Sequence, residues 1–315
     1  MTSQLCWAWV FILLLPGLTD GGKLLVVPMD GSHWLSMQQM VEKLAKRGHE
    51  VVVVMPDVSW RMGAAQEYTV KTFPVSYTLE ELDHAFSIFY EAHLKQDPFP
   101  LNILKLQESA NEMFSLFSTQ CKDLFNNKEI MQYLNQSSFD AVLTDPIILC
   151  GATLANYLSL PVVFYVRGLP CNLHYAIPQC PSPLSYIPMF FTHNSDQMTF
   201  FQRVENVLVA FLQLGYCHRF SEDALKLTSE VLQRDVSLED LLSRASIWLL
   251  RLDFVFEYSR PVMPNMVFVG GINCAKRKPL SQVCSSSSRF YFFPVNEIRS
   301  FLEMLLNYFS YLFRV

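Results

Sequence analysis

The sequence lacks an excess of positive charge. It has 24 Lys and Arg residues against 29 Asp and Glu residues in 315, which gives a formal net charge of -5. Proteins that bind nucleic acids usually carry a basic patch that neutralises phosphates. We therefore expect no nucleic-acid partner.

Sequence motifs of several enzyme classes are also missing. The chain contains no G-x-G-x-x-G, P-loop, G-x-S-x-G or H-E-x-x-H motif, so it shows no signature of dinucleotide binding, NTP hydrolysis, serine hydrolysis or zinc proteolysis. Its eight cysteines form no C-x-x-C pair and no Cys/His group with zinc spacing. We expect neither a metal nor a bound cofactor.

The longest apolar run near the N-terminus is Trp7 to Leu18. It is too short to span a bilayer but has the length of the apolar part of a secretory signal. We predict a signal peptide over residues 1–22 and a mature chain without a transmembrane helix, folding in an oxidising lumen. There the sequon at Asn135 is a candidate glycosylation site.

The cysteine pairing stays open at this stage. Cys171 and Cys180 are the nearest pair in sequence and could form a disulfide. Cys150 lies inside an apolar helical pattern, and we expect it to be a buried free thiol.

The apolar pattern predicts two β-α-β units. In the first, the strand Leu24 to Val27 precedes a helix with apolar residues at 37, 40, 41 and 44, and Glu50 to Met55 is a second buried strand. In the second unit, residues 140–144 are a strand, 147–158 a helix and 161–166 a strand. The pattern predicts a parallel sheet.

The rest of the chain completes this prediction. Residues 66–136 read as mostly helical, with a possible strand at 69–73 and a Pro-containing break at 97–100. Further elements are helices at 197–213 and 221–234, a third helix capped at Ser237, and strands at 246–250 and 266–269. We predict an α/β fold, a Rossmann-like parallel sheet with flanking helices, over residues 23–274. Residues 275–315 read as a linker and a poorly ordered tail.

His33 and Asp145 are the candidate catalytic residues. Each follows a predicted strand, and ligands of open parallel sheets bind beyond the carboxyl ends of the strands. His33 also lies near a helix N-terminus, whose dipole favours the neutral imidazole that accepts a proton. Asp145 could hold that ring as its partner in a base dyad. Alternatively, His33 is an ordinary helix residue and Asp145 caps the following helix.

The remaining polar candidates are weaker. Arg167 follows a predicted strand and could meet an anion, although a solvated or ion-paired arginine is the plainer interpretation. Asp30 has a sufficient role in shaping the turn before His33. Five further histidines have no matching carboxylate context: His84, His93, His174, His193 and His218.

Three segments resemble a known family. They are Val27-Pro28-Met29-Asp30-Gly31-Ser32-His33-Trp34, Leu143-Thr144-Asp145-Pro146 and the stretch from Pro264 to Cys274. Together, in this order, they resemble the acceptor-binding half of mammalian UDP-glucuronosyltransferases of family 1, especially the phenol-conjugating isoforms. The resemblance covers about residues 1–282.

The resemblance implies the N-terminal half of a GT-B fold in the lumen of the endoplasmic reticulum. The implied reaction is an inverting transfer of glucuronic acid from UDP-glucuronate, the co-substrate, to small lipophilic phenols or alcohols. His33 would be the base and Asp145 its partner, with Ser32, Trp34 and Arg167 as candidate acceptor contacts. The implied acceptor cleft is lined by the loop after His33, residues 75–115 and the Pro-rich loop 167–196.

The C-terminal end departs from the family pattern. Family members continue into a second Rossmann-like domain that binds the donor, then a transmembrane helix, whereas residues 283–315 resemble nothing in the family. We therefore expect an acceptor domain truncated before the donor domain and inactive alone. The alternatives are a non-catalytic partner that associates with full-length glucuronosyltransferases and modulates them, and a chain that does not fold stably.

Overall fold

A computed structural model describes residues 21–63, 67–95, 101–169, 172–189, 192, 194–252 and 257–272, without the side chains of 101–104 and 214–220. Several predictions lie outside these residues. They are most of the signal peptide, the break at 97–100, Cys171, His193, the side chain of His218, and the linker and tail at 275–315.

The centre of the structure is a parallel sheet in the order β3-β2-β1-β4-β5-β6-β7. Its strands are β1 (Lys23–Val27), β2 (Glu50–Pro56), β3 (Thr69–Phe73), β4 (Ala141–Thr144), β5 (Val162–Val166), β6 (Ala245–Leu250) and β7 (Met266–Phe268). Every neighbouring pair is parallel. The predicted Rossmann-like sheet is confirmed, and its apolar, β-branched strands suit a sheet that is covered on both faces.

The helices connect the strands. They are α1 (Ser32–Lys46), α2 (Leu79–Leu94), α3 (Leu101–Asn126), α4 (Lys128–Gln136), α5 (Cys150–Tyr157), α6 (Leu173–Ala176), α7 (Phe200–Leu232) and α8 (Leu238–Leu242). Two helix predictions were wrong in detail. A single helix, α7, replaces the two predicted at 197–213 and 221–234, because the helix tolerates Gly215 at a cost of about 1 kcal/mol. Helix α5 begins at Cys150, not Ile147, because the residues after Asp145 form a turn.

The core has one layer on each face of the sheet, and alternate strand residues enter opposite layers. On one face Leu25, Val52 and Val142 pack beneath α3 and α5, and on the other Val26, Val53 and Leu143 pack beneath α1. This alternation is the two-residue period of a strand. Because both faces of the sheet are covered by apolar layers, polar side chains that bind a ligand are expected in the loops at the carboxyl edge of the sheet.

The prediction for Cys150 was wrong. Cys150 forms a disulfide with Cys121, whereas Cys180 is a buried free thiol. Cys121 lies near the end of α3 and Cys150 begins α5, so the pairing depends on how these helices pack over the sheet. A helical sequence pattern contains no signal for that contact.

Helix α7 carries a buried polar residue on its inward side and a row of exposed apolar residues on its outward side. Its inward side carries Asn206, fully buried, whose amide binds the backbone of Leu184, Ile187 and Met189. Its outward side exposes Phe200, Phe201, Val204, Val207, Leu208, Phe211 and Leu212. An apolar stripe of this size on a protein surface is a candidate contact site.

Over the described part of the chain, no helix has both the length and the apolar character needed to cross a bilayer.

Candidate functional site

His33 and Asp145 meet at the carboxyl edge of the sheet. His33 Nδ1 lies 2.5 Å from Asp145 Oδ2, and the two residues are 6% and 2% exposed. Because an ionised carboxylate only accepts hydrogen bonds, the ring donates through Nδ1–H and its neutral form has Nε2 free of a proton. The structure thus brings the two predicted catalytic residues together.

Strand pairing explains why these residues meet across 112 positions of sequence. Strands β1 and β4 are neighbours, with Val27 opposite Thr144, and Asp145 directly follows β4. After β1 the chain turns at Gly31, whose φ of 71° is a backbone conformation that favours glycine, and α1 begins at Ser32. His33 therefore lies in the first turn of α1, facing the end of β4.

The second ring nitrogen of His33 is open to a ligand. Among the described residues Nε2 has no hydrogen-bond partner. The fully buried polar side-chain atoms of the described residues that lack a partner are Gln107 Oε1 and Asn156 Nδ2. Because Nε2 is not one of them, it keeps some exposure to solvent. A neutral imidazole in this arrangement can accept a proton through Nε2 while Asp145 holds the other side of the ring.

Asp145 also shapes its own turn. Its second oxygen, Oδ1, accepts a hydrogen bond of 3.0 Å from the backbone N–H of Ile147. The N-cap of α5 is Leu149, which gives no side-chain cap. Asp145 is therefore not the helix cap that the alternative interpretation required, although it does stabilise the turn before the helix.

Arg167 follows β5 at the same edge. Its Nη1 donates a hydrogen bond of 2.6 Å to Ser32 Oγ, beside His33. Arg251 follows the neighbouring strand β6, and its N–H donates to the carbonyl of Val166. Burial and the charge of Arg251 lower the pKa of Arg167. Arg167 and Ser32 were predicted from the sequence, whereas Arg251 was not. Arg251 also directly follows a predicted strand, so the position that selected Arg167 would have selected it too.

Trp34 lies in the core. Its side chain is 1% exposed and packs edge-to-face against Tyr68, with 6.0 Å between ring centroids. The indole has essentially no surface available to a ligand in this structure. Its contribution is to seat α1 on the sheet.

An aromatic row that sequence analysis did not identify lies next to the His33 loop. The ring of Trp60 is 3.7 Å from where a Cβ on Gly31 would stand, and it contacts Phe86, which is followed by Tyr90. Phe86 and Tyr90 are exposed. Trp60 lies in the loop after β2, so its position beyond the carboxyl end of a strand could have identified it as a candidate site residue.

Asp30 attaches this row to the His33 loop. Its buried carboxylate accepts backbone N–H groups of Gly31 and Trp60 at 2.6 Å each, and of Arg61 at 3.2 Å. The indole N–H of Trp60 donates in turn to Asp83 on α2. The role predicted for Asp30, shaping the turn, is thus extended to joining two loops.

The remaining predicted sites lie apart from this edge. Asn135 is exposed in the last turn of α4. His174 is buried in α6, where its Nδ1 accepts the N–H of Leu169 and burial lowers its pKa to about 3. Within the described ranges, no group of three or more His, Cys, Asp or Glu side chains could hold a metal ion.

The fold and the site define an α/β protein with a candidate acid–base pair at the ligand-binding edge of its sheet. The chain belongs to the family described as UDP-glucoronosyl and UDP-glucosyl transferase, whose family model matches residues 22–288.

Named relatives agree with this assignment. Human UDP-glucuronosyltransferases 1A8 and 1A9 are each 51% identical over 271 residues, which cover 86% of this chain and 51% of each relative. Mouse UDP-glucuronosyltransferase 1A7 is 48% identical over 87% of this chain and 51% of its own length. The chain thus spans about half the length of these relatives. A solved structure, the spinosyn forosaminyltransferase SpnP, matches with a TM-score of 0.43 and 13% identity over 79% of this chain and 50% of that one.

Proposed function

We propose that this chain is the acceptor-binding half of a UDP-glucuronosyltransferase, in which His33 removes the proton of a phenol or alcohol acceptor. The observation that carries the proposal is the buried pair of His33 Nδ1 and Asp145 Oδ2, with Nε2 left open. Similarity over half the length of known glucuronosyltransferases supports the reaction class.

The chemistry follows from the pair. As the acceptor oxygen attacks the anomeric carbon of UDP-glucuronate, its O–H proton passes to His33 Nε2 and the bond from sugar to UDP breaks. Asp145 stabilises the imidazolium that forms, as the aspartate of a catalytic triad does. A single displacement of this kind inverts the anomeric carbon and needs no covalent intermediate on the protein.

The surroundings of the pair suit lipophilic acceptors. The exposed rings of Phe86 and Tyr90 extend from the Trp60 side of the His33 loop. Pockets for small ligands are typically apolar with few polar groups. The packing of one aromatic ring against another is favourable, so exposed rings suit a phenolic acceptor.

We propose further that the chain is inactive by itself and resides in the lumen of the endoplasmic reticulum. Phosphate and sugar contacts for the donor are expected from the half of the relatives that this chain does not match. Holding both reactants supplies a large part of the rate of a bimolecular transfer.

The test compares two proteins. The first is the full chain, and the second is a chimera in which its residues 1–282 replace the matching part of human UDP-glucuronosyltransferase 1A8. With UDP-glucuronate and a phenol, we expect glucuronide from the chimera only. Product from the full chain would overturn the inactivity, and a folded chimera whose activity survives His33→Ala would overturn the role of His33.

A second candidate function is a non-catalytic partner of full-length glucuronosyltransferases, favoured by the apolar stripe on the outer face of α7. Co-expression with human UDP-glucuronosyltransferase 1A8 tests it. We expect co-purification and changed turnover, both reduced by the double variant Phe201→Ser/Leu212→Ser. Unchanged turnover without co-purification would remove this function.

A further inference from the structure

We propose that Thr144 is a positioning residue for the His33–Asp145 pair: its hydroxyl ties the two strands that carry the pair together and so sets their separation. This inference rests on the proposed function for its importance, since it concerns the base of that reaction. It rests on separate contacts for its geometry.

The first contact joins the ends of two strands. Thr144 Oγ1 donates a hydrogen bond of 2.6 Å to the carbonyl of Val27, and both groups are buried. Val27 is the last residue of β1 and Thr144 the last residue of β4. The bond therefore crosses between the strands at the point where the chain turns toward His33 on one side and reaches Asp145 on the other.

The second contact holds the hydroxyl from the opposite side. A Cβ on Gly151 would lie 1.9 Å from Thr144 Oγ1, so glycine is required there for α5 to pack against this side chain. Thr144 is 1% exposed and is enclosed between β1 and the first turn of α5. The hydroxyl therefore packs against Gly151 on one side while it donates to the carbonyl of Val27 on the other.

Shape alone does not require a threonine at this position. Valine has almost the same shape, prefers strands as strongly, and occupies many positions of this sheet. The difference between the two side chains is a hydroxyl in place of a methyl group. Because catalytic groups must be held to within about 0.5 Å by the residues behind them, a bond one residue from Asp145 affects the pair directly.

The experiment uses the full chain with histidine labelled by ¹⁵N, and follows the Nδ1–H proton of His33 by NMR. A ring N–H held against a carboxylate gives a far-downfield signal that exchanges slowly with water, and His33→Ala assigns it. We expect Thr144→Val to abolish or shift this signal and Thr144→Ser, which restores the hydroxyl, to recover it. If Thr144→Val does not fold, Thr144→Ala replaces it with the same expectation.

Thr228→Val is the matched control. Thr228 is also 1% exposed and its hydroxyl also donates to a backbone carbonyl, that of Ala224, but it lies on α7. We expect this variant to keep the His33 signal. An unchanged signal in a folded Thr144→Val chain would overturn the proposal, and so would an equal loss in Thr228→Val. Neither result involves glucuronide formation, so failure of the proposed function would be seen separately.

Discussion

Two buried histidines of this protein contrast in a useful way. His33 and His174 are 6% and 3% exposed, and each makes a hydrogen bond through Nδ1. His33 Nδ1 faces the carboxylate of Asp145. His174 Nδ1 accepts a backbone N–H instead, and burial, with a smaller contribution from the charge of Arg260, lowers the pKa of the His174 ring. Burial disfavours the charged form of an imidazole, and a neighbouring cation adds to that effect.

The regions around His33 and His174 also differ in the contacts that hold them. The His33 region is joined to its neighbours by the Asp30 bonds and, through the Asp145 loop, by the Cys121–Cys150 disulfide. In the His174 region the ring of Tyr175 and the free thiol of Cys180 pack in the core, and Arg260 lies over the ring of Tyr175. The first region therefore holds a carboxylate against its histidine, whereas the second holds a cation near its own.

The largest expected effect tests which of the two rings is the base. In the chimera described above, His33→Ala should lower kcat about 10³-fold, since general base catalysis contributes about 10²–10⁴. His174→Asn, which retains an acceptor for the Leu169 N–H, should change kcat less than about threefold if His174 takes no part in base catalysis. Steady-state kinetics of the folded variants decides, and equal losses in both would erase the contrast.

The next effect concerns the disulfide that distinguishes the two regions. The double variant Cys121→Ala/Cys150→Ala should lose about 3–4 kcal/mol of unfolding free energy, because the bridge closes a loop across 29 positions of sequence. Cys180→Ala, the control in the other region, should cost about 1 kcal/mol. Urea unfolding under non-reducing conditions measures both, and a double variant as stable as the parent would contradict the bridge.

A smaller effect separates the carboxylate from the ring that it holds. Asp145→Asn in the chimera should lower kcat about 10²-fold, the low end of the range for general base catalysis, with little change in KM, because an amide no longer stabilises the imidazolium. Asp30→Asn is the comparison, since it alters the neighbouring loop without touching the ring. If the two variants lose the same activity, Asp145 acts through loop structure and not through His33.

The smallest effect is a pH dependence carried by His174. Its pKa falls from the ordinary 6.5 to about 3 on folding, so below pH 6.5 the unfolded chain binds a proton that the folded chain does not. The free energy of unfolding therefore decreases as pH falls from about 6.5 toward 3, and His174 accounts for about 1.4 kcal/mol of this decrease per pH unit. The urea midpoints at pH 7 and pH 5 should therefore differ less in His174→Asn than in the parent. An identical dependence in both would show that His174 is not buried and neutral.

Much of the fold could be predicted because the strands have a local signal. Val51 to Val54 and Val162 to Val166 are short apolar runs between turn residues, and the rule that ligands bind at strand ends placed His33 and Asp145 at one edge. Helix ends were less predictable. Gly215 did not interrupt α7, and the turn held by Asp145 delayed α5 to Cys150, because both depend on packing that no local pattern records.

Contacts between distant segments were not predictable at all. The Cys121–Cys150 bridge, the attachment of Trp60 to Asp30 and the hydrogen bond from Thr144 to Val27 join elements whose sequences show nothing of each other. Trp34 illustrates the reverse case. It neighbours the candidate base in sequence, but the turn of α1 directs it into the core.

The sequence by itself determined the parallel α/β class, because this class depends on the local periodicity of apolar residues. It also indicated a histidine and an aspartate as candidates for proton transfer, and its three motifs carried the resemblance to the family. Only the tertiary structure decided that the histidine and aspartate touch, that Nε2 stays open and that a threonine hydroxyl and a disulfide hold the loop behind them. The groups in contact are 112 residues apart in the His33–Asp145 pair, 117 in the Thr144–Val27 bond and 29 in the disulfide, and only the packing of the sheet and its helices brings them together.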